Sequence, residues 1–177
     1  MELTSFRQIA GINPSDLGSA GIPAEFGFQE RALANLQGID FSTVAARLDR
    51  DWLWRELTQH AYWAKYRTRA MFERQLDNAW RTVGAYRAAD GQMVGFCRAF
   101  SDGVAMAYLA DVYVSREDRG RGIGRGLLRV MIDDGPGRSF RWMLHTADAH
   151  HLYQEFDFAA PDATFMERRC QLPHVRS

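Results

Sequence analysis

Apolar residues Leu53, Leu57, Ala61 and Ala64 recur every three or four positions, the spacing of a helix with one buried face, and Asp49 or Asp51 can cap its start. Phe72, Leu76 and Ala79 extend the same period, so two consecutive helices are expected. Before them, FSTVAARL over 41–48 reads as a first strand. From Trp80 the period turns strand-like: RTVGAYRA, a turn at Ala89-Asp90-Gly91-Gln92, MVGFCRAF, a second turn at Ser101-Asp102-Gly103, then VAMAYLADVYV. These runs predict an antiparallel meander. Its third member, apolar nearly throughout, is expected to be the central and most buried strand. Ile123, Leu127 and Val130 or Met131 then share one face of a helix over 123–134, which Gly135-Pro136 ends. RWMLHT reads as a strand, ADAHHLYQEF as a helix and ATFMERRC as a last strand. The alternation predicts an α/β (α+β) layer on a mixed sheet.

Residues 1–37 break this regularity, because Gly11, Pro14, Gly18, Gly21, Pro23 and Gly27 interrupt apolar pieces of no fixed period. They read as an N-terminal extension to a domain over 38–177. Closing over a site, forming a homodimer and remaining loose are all open to it. The start of the chain lacks the basic and apolar blocks of a secretory signal and any span of about 20 apolar residues, so a cytoplasmic protein without a membrane partner is expected. Across 177 residues, 22 Lys+Arg balance 22 Asp+Glu, which argues against a dedicated nucleic-acid binder. Cys97 and Cys170 fit neither a disulfide framework nor zinc-ligand spacing, so no metal is expected. Lys65 is the single lysine, which leaves little material for Schiff-base chemistry.

Candidate chemistry concentrates at Arg119-Gly120-Arg121-Gly122-Ile123-Gly124-Arg125, between a strand and an amphipathic helix. There, unpaired backbone N–H groups and the helix dipole can hold a phosphate. No lysine follows as in GxxxxGK[ST], and Arg125 takes the sixth place of a would-be GxGxxG, so neither a P-loop nor a dinucleotide fold is indicated. The alternatives are a simple helix-entry loop and, for Arg116, Arg119, Arg121, Arg125 and Arg129, a solvated face balanced by Glu117 and Asp118.

The spacing Arg-x-x-Gly-x-Gly after Val-Tyr-Val and before Leu-Leu resembles the pyrophosphate motif of the GNAT superfamily of N-acetyltransferases. Downstream, Leu144-x-Thr146-x-Asp148-Ala149-His150-x-Leu152-Tyr153-x-x-Phe156-x-Phe158 is similar to that family's second signature, with Asp157 where the family usually has glycine. The likeness covers about residues 40–170, and AYWAKYRTR resembles a bacterial subgroup. It implies a mainly antiparallel sheet with helices on both faces and acetyl-CoA (coenzyme A) as cosubstrate. It also implies a cofactor site in which the backbone of Val112, Tyr113 and Val114 meets the pantetheine arm. The amides of Gly120, Arg121, Gly122, Ile123, Gly124 and Arg125 would wrap the pyrophosphate, with Arg119 closing the turn and Thr146 at a coenzyme-contact position.

The same resemblance implies transfer of an acetyl group to a primary amine of a small molecule or peptide by direct attack, with Tyr153 as the acid for the departing thiolate. A phenol, with a pKa near 10, keeps its proton at neutral pH. Asp111 interrupts an apolar strand and is the first candidate for a base. Its alternative is a structural carboxylate that accepts hydrogen bonds. His145 and His150 are lesser options, and Thr146 and Asp148 read more simply as helix caps. Tyr62 and Trp63, within an aromatic-rich stretch, are the expected contacts of the amine acceptor, although aromatics at helical spacing are more often core. A noncatalytic acyl-CoA-binding regulatory module is the competing function.

Overall fold

The computed structural model describes Leu36 and residues 38–168, all within the unit Ala32–Ser177. The expectations for residues 1–37 therefore fall, apart from Leu36, outside the described residues. Five strands form one sheet in the order β1-β2-β3-β4-β5: β1 Ile39–Ser42, β2 Arg81–Arg87, β3 Met93–Ser101, β4 Met106–Val114 and β5 Arg141–Met143. The first four pair antiparallel and β5 joins β4 in parallel. Helices α1 Arg50–His60 and α2 Arg69–Asp77 precede β2, α3 Ile123–Met131 follows β4, and α4 His150–Gln154 follows β5.

Two apolar clusters cover the sheet. Leu53 and Leu57 of α1 and Phe72 and Leu76 of α2 pack with Phe96 and Tyr113, so the three-to-four spacing does define one buried side of each helix; Ala61 and Ala64 join the same cluster from beyond the end of α1, as its C-cap and in a 3₁₀ turn at Tyr62–Ala64. On the other cluster, Ile123, Leu127, Leu128, Val130 and Met131 of α3 meet Val83, Val94, Cys97 and Leu109. Approach there is close: a Cβ on Gly126 would lie 2.1 Å from Phe41 Cζ, so only glycine lets α3 settle onto β1. Asp49, not Asp51, caps α1 by accepting from Trp52 N at 2.8 Å.

Four expectations need correction. The first strand ends at Ser42, because its Oγ accepts from Val44 N at 3.2 Å and turns the chain into a short 3₁₀ turn at Ala45–Arg47. The central and most buried strand is β3, not β4; alternate β4 residues look into an open cleft. The helix beginning at Ile123 stops at Met131 with Ile132 as its C-cap, so Asp133 and Asp134 lie past its end. No strand forms over 163–168: Asp162 Oδ1 accepts from Thr164 N at 2.8 Å and folds that segment into a turn. The remainder of that predicted strand lies outside the described residues. No described helix is long and apolar enough to cross a membrane.

Candidate active site

The cleft arises where two neighbouring strands part. β5 is three residues long and pairs with β4 only through Met106–Arg141, Ala107–Trp142 and Tyr108–Met143. From Leu109 to Val114, β4 therefore has no partner on that side among the described residues. Its pairing with β3 also slips, from Phe96–Tyr113 to Arg98–Ala110, which leaves Asp111 and Val112 as a bulge. Asp111 sits there at φ 52°, left-handed backbone that a non-glycine residue adopts only where surrounding contacts hold it.

Those contacts come from three side chains. Arg67 donates through both Nη atoms to the two carboxylate oxygens at 2.9 Å each, Arg98 Nε donates to Oδ2 at 2.6 Å, and Trp63 Nε1 donates to Oδ1 at 3.0 Å. Burial alone would push this carboxyl up, but hydrogen bonding and charge from Arg67 and Arg98 outweigh it and hold the group below the usual carboxylate range. Sequence reasoning missed Arg67 and Arg98. An arginine inside the apolar run MVGFCRAF was the available signal, since such a charge must meet a carboxylate on an adjacent strand.

Two chambers open along the unpaired part of β4. The first, about 390 Å³, is lined by Val112, Tyr113 and Val114, by Arg119, Gly120, Gly122, Ile123, Gly124 and Arg125, and by residues of the α4 region. At its floor Gly120 and Gly122 take φ of +75° and +82°, which points the backbone into the start of α3. Gly122 is the N-cap, no side chain caps the helix, and no acid occupies its first turn. Its first amides have no intrahelical acceptor, and the local field favours an anion.

Asp118 holds this loop in shape. Buried, it accepts from Ser115 Oγ at 2.7 Å, Arg87 Nη2 at 3.1 Å and Arg121 Nη1 at 2.6 Å, so it is a structural hub and not part of a solvated face. Arg119 Nε reaches back to the Val114 carbonyl at 3.1 Å, and Arg125 pairs with Glu155 beyond α4. We expect Asp118→Ala to cost about 1–3 kcal/mol of stability by chemical denaturation, because three donors lose their common acceptor and the glycine turn loosens.

The second chamber, about 520 Å³, is lined by Tyr62, Trp63, Arg67, Arg98, Phe100, Tyr108, Asp111, His145 and Thr146 among others. Tyr62, Trp63, Val112, Asp148, Ala149 and Tyr153 line both chambers, so the two meet there. Tyr62 Oη accepts from Ala147 N at 3.0 Å, which ties the segment after α1 across to the β5–α4 connection. Thr146 Oγ1 accepts from Ala149 N at 3.1 Å, whereas Asp148 caps nothing. His145 Nδ1 shares a 2.6 Å hydrogen bond with Tyr108 Oη, and His150 begins α4. Tyr153 packs edge-on against Phe158 at 5.9 Å, and burial pushes its phenol up to about 12. Its hydroxyl has no hydrogen-bond partner among the described residues. Asp157 stands at φ 61°, tolerable for aspartate, so the turn survives in the place where glycine was expected.

A mixed sheet split beside a bulged strand, with an uncapped helix start lining one chamber and a buried phenol on the wall that both chambers share, defines an α/β domain with two joined chambers. The model of the acetyltransferase (GNAT) family matches residues 50–158, and the chain belongs to that family; it is an acyltransferase. A Gibberella zeae protein named as a candidate acetyltransferase is 33% identical over 124 residues, covering 64% of this chain and 68% of that one. A crystal structure of a GNAT-family protein from Xanthomonas campestris pv. campestris is 33% identical, with a TM-score of 0.71 over 78% of this chain and 97% of that one. A Clostridium acetobutylicum protein solved with acetyl-CoA shares the fold at 16% identity, with a TM-score of 0.54 over 74% of this chain and 96% of that one. The likeness thus reaches a fungus as well as bacteria. Among the described residues no group of three or more His, Cys, Asp or Glu is placed to hold a metal ion.

Proposed function

We infer that the chain acetylates a primary amine with acetyl-CoA by direct attack, and that the reaction occurs where the two chambers meet beside Tyr153. The carrying observation is that junction, because a coenzyme chamber and an acceptor chamber that share one wall let the amine reach the thioester without a covalent enzyme intermediate. The backbone of Val112–Val114 would take the pantetheine arm. The amides from Gly120 to Arg125 would take the pyrophosphate, supported by the uncapped start of α3 and the lack of acids in its first turn. Acetyl-CoA supplies the activated acyl group.

The protein's own part is to orient and to manage protons. A backbone N–H on the bulged stretch of β4 polarises the thioester carbonyl. The amine nitrogen bonds to the carbonyl carbon as the carbon–sulfur bond breaks, Tyr153 gives its proton to sulfur, and the proton lost by the nitrogen restores the phenol. Amide and free thiol are the products, and atoms and charge balance. Asp111 is read here as the anchor of the bulge and not as the base, since every hydrogen bond it makes favours its ionised form. Asp148, the one acid lining both chambers, is suited to draw the substrate's ammonium inward.

Thiol release from acetyl-CoA across an amine panel tests the reading, with calorimetry of coenzyme A alongside. Amine-dependent thiol release with acetylated product by mass is the expected result. Tight coenzyme binding with no turnover of any amine would support the regulatory module instead.

A further inference from the structure

The polar groups of the second chamber are almost all spent on one another. Tyr62 Oη serves Ala147 N, Trp63 Nε1 and both Nη atoms of Arg67 serve Asp111, Tyr108 and His145 serve each other, and Thr146 serves Ala149 N. Among the described residues the exceptions are Asp148 and Tyr153, where the chambers meet, and Arg98. Arg98 is 7% exposed, lines the chamber, and spends only Nε on Asp111, so Nη1 and Nη2 have no hydrogen bond among the described residues. Arg67 and Arg98 also share a single carboxylate, which leaves one positive charge of the buried cluster without an ion-pair partner among the described residues. A guanidinium cannot shed its proton. A buried charge of this kind is costly until an anion with two oxygens meets its fork.

We propose that the acceptor is an amine that also carries an anionic oxygen group, received by the free Nη fork of Arg98, with its side chain against the Phe100–Tyr108 pair. Those two rings stack at 4.9 Å and 17°, and Phe100 is half exposed, so they offer an apolar wall beside the charge. Three groups with atoms that make no hydrogen bond among the described residues then line the acceptor's path: the Arg98 Nη atoms for the anion, Asp148 for the ammonium and Tyr153 at the transfer point. An amino acid or an aminophosphonate satisfies this arrangement, whereas a plain alkylamine leaves Arg98 bare.

The inference rests on the acetyl-transfer reading, and its test separates the two. Phenylalanine, methionine and alanine are each compared with the corresponding aminophosphonate and the decarboxylated amine, by thiol release from acetyl-CoA. N-acetylphenylalanine and N-acetylphenylethylamine are titrated calorimetrically into the full-length protein with coenzyme A. At least one anionic member should exceed its neutral partner by about tenfold to a hundredfold in kcat/KM, the effect of a charge-assisted pair. Carboxylate over phosphonate, or the reverse, identifies the anion. Arg98→Lys, which keeps a charge beside Asp111 but loses the fork, should erase the preference through KM for the amine and leave KM for acetyl-CoA unchanged. Neutral amines turned over as well as every anionic partner would overturn the proposal and leave acetyl transfer standing. Preferential binding of N-acetylphenylalanine without turnover of any amine would uphold the anion site and sink the transfer reading. Equal or absent binding of the two acetylated probes with no anionic preference counts against the proposal.

Discussion

Tyr153→Phe should lower kcat by about 10²- to 10⁴-fold, the range for a positioned general acid, while coenzyme A affinity stays within about twofold. The exchange removes one oxygen. The ring keeps its edge-on contact with Phe158 and its place in the core cluster around Leu127, so the fold should melt at nearly the same temperature. Burial, with the nearby Asp148 carboxylate adding to it, pushes the phenol up to about 12. A raised value keeps the donor protonated through and well above neutral pH. The wild-type pH–rate profile should therefore rise with deprotonation of the amine and show no descending limb from Tyr153 below about pH 11. Stopped assays of kcat from pH 6 to 10 check both points, and an unchanged kcat in Tyr153→Phe would remove the phenol from the mechanism.

Asp111→Ala should cost about 3–5 kcal/mol of stability, because it leaves two buried guanidiniums without their shared acceptor. Asp111→Asn keeps the shape and some acceptor capacity and should cost less. Chemical denaturation of the three forms measures the order. The pH dependence has a definite sign: the folded carboxyl titrates below its unfolded value of about 3.9, so its contribution is complete above that pH and fades as pH falls through the lower folded value. Acid denaturation of the wild type should therefore be steeper below pH 4 than that of Asp111→Asn. The same substitution should reduce turnover as well as stability, since the left-handed backbone at Asp111 and the bulge that includes Val112 are held from that one carboxylate.

Much of the architecture was legible from residues near one another in the chain. The helical spacing of Leu53, Leu57, Phe72 and Leu76, the Asp90-Gly91 and Asp102-Gly103 turns, and the glycine-arginine entry to α3 each depend on contacts within a few residues, where local geometry and side-chain type decide the outcome. The end of β1 was misread because a single serine hydroxyl, bonded two residues on, outweighed an apolar run. β4 was misread as the central strand because an apolar sequence does not say whether its outer face meets a helix or lines a cleft.

From the chain alone came the glycine-rich entry to α3 and the choice between helix and strand for most segments. Each of these follows from short-range periodicity and backbone chemistry. Folding in three dimensions decided that Arg67, 44 residues from Asp111, and Arg98, 13 residues from it, converge on one carboxylate, that β4 and β5 part after Tyr108, and that two chambers join at Tyr153. The physical reason is that the pairing of buried charges and the opening between strands are set by which distant segments share the interior, and neither has a signature in the order of neighbouring residues.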